Sequence, residues 1–544
     1  MPEIQHIIFD TLYGDSRGMA TLAALARTAH CFQEVALDRL WHTQTSLVPL
    51  VRCFPPTVVS EEAGEYGVQV MNFVSEPKPE DWTRVKFYAP RIKAIRSDVS
   101  FEMDPLWDGE LAEEACIILQ KSKGSAPLLP NLHSFEWTQR VSQWTKYCRT
   151  PAIASFPLML NPQVSSMDVV VNHLEEGGPA EAIAAALRKF GNEFRQLRSI
   201  NFVCPPCGPV EEAVLDLAYR HPQLKSFKCS RSRSMTVEAI THLSTLQALQ
   251  EVSIVADRET TLSVVKVAKS RAYCFFSALR SLVLQTESLE LCKEWLDIVR
   301  TPSVNNLTFI VEQSLTAKDF AEFLTLLVER GGLEHLRFVC KTPCPRDSPG
   351  YSIIPTALAP LLQLNLVTLQ LEPGMPIDID NSFVERMARA WPRLQTLELN
   401  AEWRRYPERT PLVTIPGLLP LTDHCPHMTS LAITFNPNLF PFQGHFAAGD
   451  RPAGGHSFSL DKPFRLGVGA TVIAFNDYGF RLATVLSDFC PGLVTLDNAW
   501  ARAEDEIGED LDLEEPEINE NWQQVHKYAK ELARVRRQER LYMY

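Results

Sequence analysis

A short pattern, L-x-x-L-x-L with large apolar residues exchanging freely, returns thirteen times between residues 128 and 498. It reads Leu132/Phe135/Trp137, Val164/Met167/Val169, Leu197/Ile200/Phe202, Leu224/Phe227/Cys229 and Leu249/Val252/Ile254. It goes on as Leu279/Leu282/Leu284, Val304/Leu307/Phe309, Leu333/Leu336/Phe338, Leu366/Leu369/Leu371, Leu394/Leu397/Leu399 and Met428/Leu431/Ile433. Two weaker copies close the series: Leu466/Val468 lacks the leading anchor, and Leu493/Leu496 has Asn498 in the last place. The interval runs from about 25 to about 35 residues. The last two apolar residues of each copy alternate with polar ones, the period of a strand with one buried face. Between copies lie helical stretches, as in 383–390, where Val384, Met387 and Ala388 share a face.

Proline punctuates the series at His221-Pro222, Trp391-Pro392, Cys425-Pro426 and Cys490-Pro491. It ends a helix and biases the preceding residue toward extended geometry, so it marks each helix-to-strand turn. One strand and one helix cannot bury their own apolar faces, whereas stacked neighbours can. The recurrence therefore predicts an α/β solenoid with parallel strands on the concave side and helices outside. An ordinary α/β sheet with crossover helices would show no fixed spacing.

Composition narrows the function classes. The chain has 544 residues, 45% hydrophobic and 22% charged, enough for a large core. No window approaches 18 consecutive apolar residues, and the N-terminus lacks a basic segment followed by an apolar one, which argues against membrane insertion and secretion. A net charge of −13 argues against nucleic acid as a partner, because phosphate recognition needs a basic surface. Thirteen cysteines without a framework suit a reducing compartment, so a cytoplasmic or nuclear location is expected.

Chemistry-bearing motifs are few. Cys204-Pro205-Pro206-Cys207 has the spacing of a redox or zinc pair but no second pair, and structural zinc needs four ligands. Cys340/Cys344 and His424/Cys425/His427 lie in a loop and around a helix-ending proline. Phosphate-loop, nucleophile-elbow and H-E-x-x-H patterns are missing. No catalytic residue, metal site or cofactor is expected, and the chain does not read as an enzyme.

The first 41 residues carry a different signal. Apolar residues recur at helical spacing three times: Ile4, Ile8 and Leu12; Leu22, Leu25 and Ala29; Phe32, Ala36 and Leu40. With Glu3-Ile4, Ile8-Phe9, Leu22-x-x-Leu25-Ala26-Arg27-Thr28 and Ala36-Leu37-x-x-Leu40-Trp41, this stretch resembles an F-box. It departs from that motif in opening at Met1-Pro2, where an F-box places Leu-Pro before Glu-Ile; either that anchor is missing or the true start lies upstream.

The repeats resemble leucine-rich repeats in a degenerate form. The usual Asn or Cys beyond the strand occurs in few copies, as Asn172 and Asn436, and elsewhere gives way to residues such as Glu287 or Glu402. Together the two parts resemble the fungal-type F-box/leucine-rich-repeat proteins over nearly the whole chain. Supporting phrases are Thr43-Gln44-Thr45-Ser46-Leu47-Val48-Pro49-Leu50, Asp81-Trp82-x-x-Val85-x-Phe87-Tyr88-Ala89 and Leu466-Gly467-Val468-Gly469.

The resemblance implies a substrate-recognition subunit of a Skp–cullin–F-box ubiquitin ligase. Ile4, Ile8, Leu22, Leu25, Phe32, Leu37 and Leu40 would then be candidates for the Skp-type adaptor contact. Spacing does not tell which of them face the adaptor and which face each other. Polar strand positions such as Ser134, Lys225, Ser253, Arg337 and Glu398 would line the concave face that holds a protein target. The alternative is a ligase-independent interaction scaffold on the same solenoid.

The expected division is an F-box at 1–41, a helical and loop connector at 42–127, the solenoid at 128–498, and an acidic segment with a C-terminal amphipathic helix at 499–544. A helix is expected at 111–120 and a long loop at 441–459. The block 504–520 is acidic, without Lys or Arg, and reads as solvated. In the terminal helix Trp522, Val525, Ala529 and Leu532 share a face suited to capping the end of the solenoid.

Overall fold

The computed structural model describes residues 2–13, 18–63, 69–96, 110–138, 151–171, 178–205, 207–230, 234–270, 275–299, 301, 303–345, 350–401, 410–437, 453, 456–459, 462–473, 477–500 and 515–542. The chain divides into two units, Met1–Val255 with Phe276–Ala278, and Ala256–Phe275 with Leu279–Tyr544.

Each copy of the repeated pattern is a strand. In the first unit Thr43–Gln44, Ala94–Arg96, Ser134–Thr138, Ser166–Val170, Ser199–Val203, Ser226–Ser230 and Glu251–Ala256 pair in chain order, all parallel. In the second unit the order is Ser281–Thr286, Asn306–Val311, His335–Cys340, Thr368–Glu372, Thr396–Leu399, Ser430–Ile433, Phe464–Gly467 and Leu493–Asp497, again parallel. Leu282, Leu307, Leu336, Leu369, Leu397, Leu431 and Leu466 stand in one row across these strands. Leu284, Phe309, Phe338, Leu371, Leu399 and Ile433 form the next inward row. A slip of one residue would turn such a row onto the opposite face, so burial fixes the register.

Most strands return through a helix that covers the leucine side. Phe323 of the helix Ala317–Val328 meets Phe309 edge-on at 5.1 Å, and Phe320 meets Phe338 at 4.8 Å. In the helix Asn381–Ala390 the buried residues are Phe383, Val384, Met387 and Ala388, the face that helical spacing marked. Each unit is thus a stack of leucine-rich-repeat type, with alternate strand residues buried under helices and the others turned away from them.

Helix ends in such a stack leave carbonyls without intrahelical partners. Here a side chain from the following repeat donates to a carbonyl at such an end, or, in the first case, to the loop that leads into the strand Ser134–Thr138. Asn161 Nδ2 donates to the Leu132 carbonyl at 3.3 Å and also to that of Leu129, and its Oδ1 accepts the Gln163 amide. His221 Nε2 donates to the Gly191 carbonyl at 3.1 Å, and His242 Nε2 to that of Ala218 at 3.3 Å. Trp391 Nε1 donates to Leu361 at 3.3 Å. Cys425 Sγ lies 3.5 Å from the Trp391 carbonyl and 3.6 Å from that of Ala388. Arg330 reaches both Leu296 and Val299, the latter at 2.7 Å. Asn161, His221, Trp391 and Cys425 each directly precede a proline. The turn that ends one helix therefore also fastens the repeat before it.

The stretch 42–127 adds to the first unit more than loops. It supplies the strands Thr43–Gln44 and Ala94–Arg96, and a small second sheet in which Val59–Ala63 pairs antiparallel with Gln69–Phe73 and the latter parallel with Glu110–Leu111. Phe54 packs edge-on against Phe73 at 5.3 Å and Trp82 at 5.0 Å to give this part its own aromatic centre. The expected helix at 111–120 lies at Glu113–Ser122, because Leu111 is held in a strand.

At the other end, the helix Glu515–Tyr542 buries Ile518, Trp522, Val525, Ala529 and Ala533. Trp522 Nε1 donates to the Thr471 carbonyl at 2.8 Å, and His526 Nε2 to that of Val494, in the last strand, at 3.2 Å. This helix packs on the helix Asp477–Phe489 and on the strand Leu493–Asp497, the position of a cap. The helix takes up the last residues of the acidic block, and Glu517 in its first turn suits the positive end of a helix dipole. Residues 504–514 and most of 441–459 lie outside the described residues.

Removing a latch donor should leave a carbonyl short of a partner. His221→Phe is expected to cost about 1–3 kcal/mol, and Trp391→Phe, which leaves the Leu361 carbonyl its bond from the Leu364 amide, about 0.5–1.5 kcal/mol, each read as a lower urea or thermal midpoint than that of the intact chain.

The same latch predicts a pH dependence. Burial pushes His221 below its ordinary value, with Arg220 adding to this and the Gly191 carbonyl opposing it. Burial lowers His42 and His526 as well. A depressed folded value means that the unfolded chain takes up protons first, so stability is complete above about pH 6.5 and is lost as pH falls from there toward the folded value. Melting at about pH 5 should fall below that at about pH 7.5, and His221→Phe should narrow the gap.

Candidate functional site

Three helices open the chain: α1 (Pro2–Tyr13), α2 (Gly18–Thr28) and α3 (His30–His42). Ala29, in extended backbone, separates α2 from α3. They share a small core of Phe9, Leu22 and Ala36, with Leu12, Tyr13, Leu25, Ala26, Phe32, Val35 and Leu40 packed around it. Phe9 meets Phe32 edge-on at 6.0 Å, and Arg39 of α3 pairs with Asp10 of α1. Gly18 is required where α2 begins, since a Cβ there would collide with the Leu12 carbonyl.

The bundle is fastened to the first unit through α3. Arg91 pairs with Glu34 at 2.6 Å and with Asp38, while its guanidinium lies 4.7 Å from the Phe87 ring centre. Trp41 stacks on Tyr88 at 4.5 Å, and the strand Thr43–Gln44 follows α3 directly.

This geometry divides the seven residues proposed from spacing. Leu22 is buried, and Leu25, Phe32 and Leu40 pack against the bundle's own core. Leu37 is half-buried, and the Ile4 side chain lies outside the described residues. Ile8 is 50% exposed and its neighbour Ile7 is 65% exposed. Sequence reasoning passed over Ile7 because it falls off the Ile4–Ile8–Leu12 stripe. Its signal is an apolar residue next to that stripe on a short helix.

The face of the sheet turned away from the helices is polar and largely self-paired. In the first unit Ser134, Ser166, Ser199 and Ser226 stand in one row of neighbouring strands, and Asn201 donates to Asp168 at 3.0 Å in the next. Lys228 pairs with Glu251 at 2.7 Å, which with the Ser226 hydroxyl holds that carboxyl below its usual range despite partial burial. In the second unit Glu398 accepts from Gln370 at 2.7 Å and from Ser430 at 3.1 Å. In the turns that lead into the strands, Arg393 at 2.9 Å, with Asn305, lowers Glu334. Beyond Glu398 the row shrinks to Ala432 and Gly467, where a Cβ on Gly467 would stand 2.5 Å from the Ala432 Cβ.

Of the five polar candidates, Ser134 and Glu398 are half-buried on this face and Arg337 is exposed. Lys225 is exposed just before its strand, where its amide donates to the Arg198 carbonyl. Ser253 is buried at 4%, because the strand Glu251–Ala256 is covered over most of its length.

Redox and metal chemistry find little here. Cys204 and Cys207 are both buried, and burial, with Cys229, Glu211 and Cys207 nearby, pushes the Cys204 thiol up to about 12. Among the described residues no group of three or more His, Cys, Asp or Glu is placed to hold a metal ion. No helix among them is long and apolar enough to cross a membrane.

The chain matches no protein-family profile and no curated protein. Among solved structures it is similar to an internalin from Listeria monocytogenes, with 10% identity over 68% of this chain and 87% of that chain and a TM-score of 0.27. The architecture therefore rests on the strand register described above.

The paired and unpaired positions of the open face should behave differently. Glu398→Ala is expected to cost about 1 kcal/mol, since Gln370 and Ser430 lose their acceptor. Arg337→Ala should stay within about 0.5 kcal/mol of the intact chain. Urea midpoints of both variants check this.

Proposed function

We propose that this chain is the substrate-recognition subunit of a Skp–cullin–F-box ubiquitin ligase, its N-terminal bundle docking a Skp-type adaptor and its open sheet face holding a protein target. One observation carries the reading: a three-helix bundle with its own core leaves Ile7 and Ile8 in solvent at its N-terminal helix. Two adjacent exposed isoleucines on one helix gain by being covered, at roughly 25 cal/mol for each Å² of apolar surface removed from water. On this reading residues 1–41 are the F-box, 42–127 join it to the array, 128–498 bind the target, and 499–544 close the end. Leu22, Leu25, Phe32 and Leu40 serve to build the bundle, while Ile8, with Ile7 added to the original set, makes the contact. Transfer of ubiquitin belongs to other subunits, so the chain supplies no catalytic group.

The test is binding of a purified Skp adaptor to the full chain. Ile7→Asp with Ile8→Asp should weaken binding at least about tenfold, about 1.4 kcal/mol, with the circular dichroism spectrum and melting unchanged because both positions are exposed. Leu22→Asp should instead disrupt the bundle. Failure of the well-folded intact chain to bind the adaptor removes the ligase reading, and the interaction scaffold becomes the description.

A further inference from the structure

The C-terminal helix does more than close the second unit. Its buried side is satisfied by Ile518, Trp522, Val525, Ala529 and Ala533. On the opposite side Lys527, Lys530, Arg534 and Arg537 are all exposed. Their spacing of three, four and three residues sets them in one stripe, roughly 15 Å long at 1.5 Å per residue. Glu531 is the single acid between them, and it meets Arg534 at 3.6 Å. Lys527, Lys530 and Arg537 have no ion-pair partner among the described residues, whereas Lys228 and Arg465 on the sheet's open face are paired.

Beside the basic stripe runs an apolar one. Tyr528 is 39% exposed, Val535, seven residues on, is 48% exposed, and Phe480 of the neighbouring helix, 46% exposed, meets Tyr528 edge-on at 5.8 Å.

From this pairing we infer that the exposed face of the terminal helix is a docking surface for an acidic, amphipathic protein segment. Its carboxylates would meet the Lys527–Arg537 stripe, and its apolar anchors would cover Phe480, Tyr528 and Val535. Charge complementarity selects the partner class. A stripe of four cations gives a short run of carboxylates enough partners, while a nucleic acid or an anionic membrane presents a long polyanion to a chain of net charge −13. The exposed aromatic and aliphatic groups add a contact that phosphate backbones do not use. The surface uses none of the residues assigned to the adaptor or the target, so it stands whether or not the ligase reading holds.

The experiment uses the full chain and a labelled synthetic helical peptide carrying Glu on one stripe and Leu and Phe on the adjacent one, with a scrambled peptide of equal composition as control. Fluorescence anisotropy at physiological salt should show binding of the patterned peptide and at least tenfold weaker binding of the scrambled one. Lys527→Glu/Lys530→Glu/Arg537→Glu should abolish it, and Tyr528→Ser should weaken it several-fold, both with unchanged melting. Absence of binding, equal binding of the scrambled peptide, or indifference to the triple variant overturns the proposal. So does tighter binding of single-stranded DNA or of phosphatidylserine vesicles, which would make the stripe a general polyanion site. Binding that appears only after the acids at 504, 505, 506, 509, 510 and 512 are neutralised also overturns it, since the chain would then be its own occupant.

Discussion

Repeat stacking in this chain turns on the carbonyls that a helix leaves bare at its C-terminal end. A strand–helix repeat buries its leucines by leaning on a neighbour, but burial alone would leave such carbonyls short of donors, at about 1–3 kcal/mol for one left wholly unpaired. His221, His242, Arg330, Trp391 and Cys425 answer this by reaching from one repeat to the helix end of the one before, and Asn161 does the same for the loop carbonyls of Leu129 and Leu132. The bond and the burial are then one event. A repeat that docks its leucine row also satisfies its neighbour's backbone, which ties side-chain packing to the parallel register.

The candidate surfaces follow from what this arrangement leaves over. The sheet face away from the helices pairs with itself through Glu398 and Lys228, so a target there would have to exchange existing bonds rather than fill vacant ones. The ends of the chain are different. Ile7 and Ile8 at the beginning, and the basic stripe from Lys527 to Arg537 at the finish, stand exposed to solvent.

Legibility in the sequence followed the strength of the period. Thirteen strands could be read because a buried leucine alternating with an open-face residue is a local signal, and Val384, Met387 and Ala388 were readable as a helix face for the same reason. The strands Thr43–Gln44 and Ala94–Arg96 were not, being two and three residues long, too short for a period to show. Ser253 was misplaced because alternation predicts a pleat, not what lies over it. The N-terminal residues show the limit most clearly. Helical spacing found the apolar positions of three helices, but whether Leu22 or Ile8 faces inward depends on where the other two helices lie. His221, Trp391 and Cys425 were seen as markers of a turn, while their hydrogen bonds to a helix about 30 residues earlier had no local trace.

The donors at these helix ends are two imidazoles, a guanidinium, an indole and a thiol. A backbone oxygen asks only for a proton at the right place and is indifferent to the group that brings it. Such positions constrain chemistry without constraining identity, and a lineage can exchange the residue while keeping the bond. The architecture can then outlast its own spelling: two chains built on the same fastening need share few letters at the places where it is made.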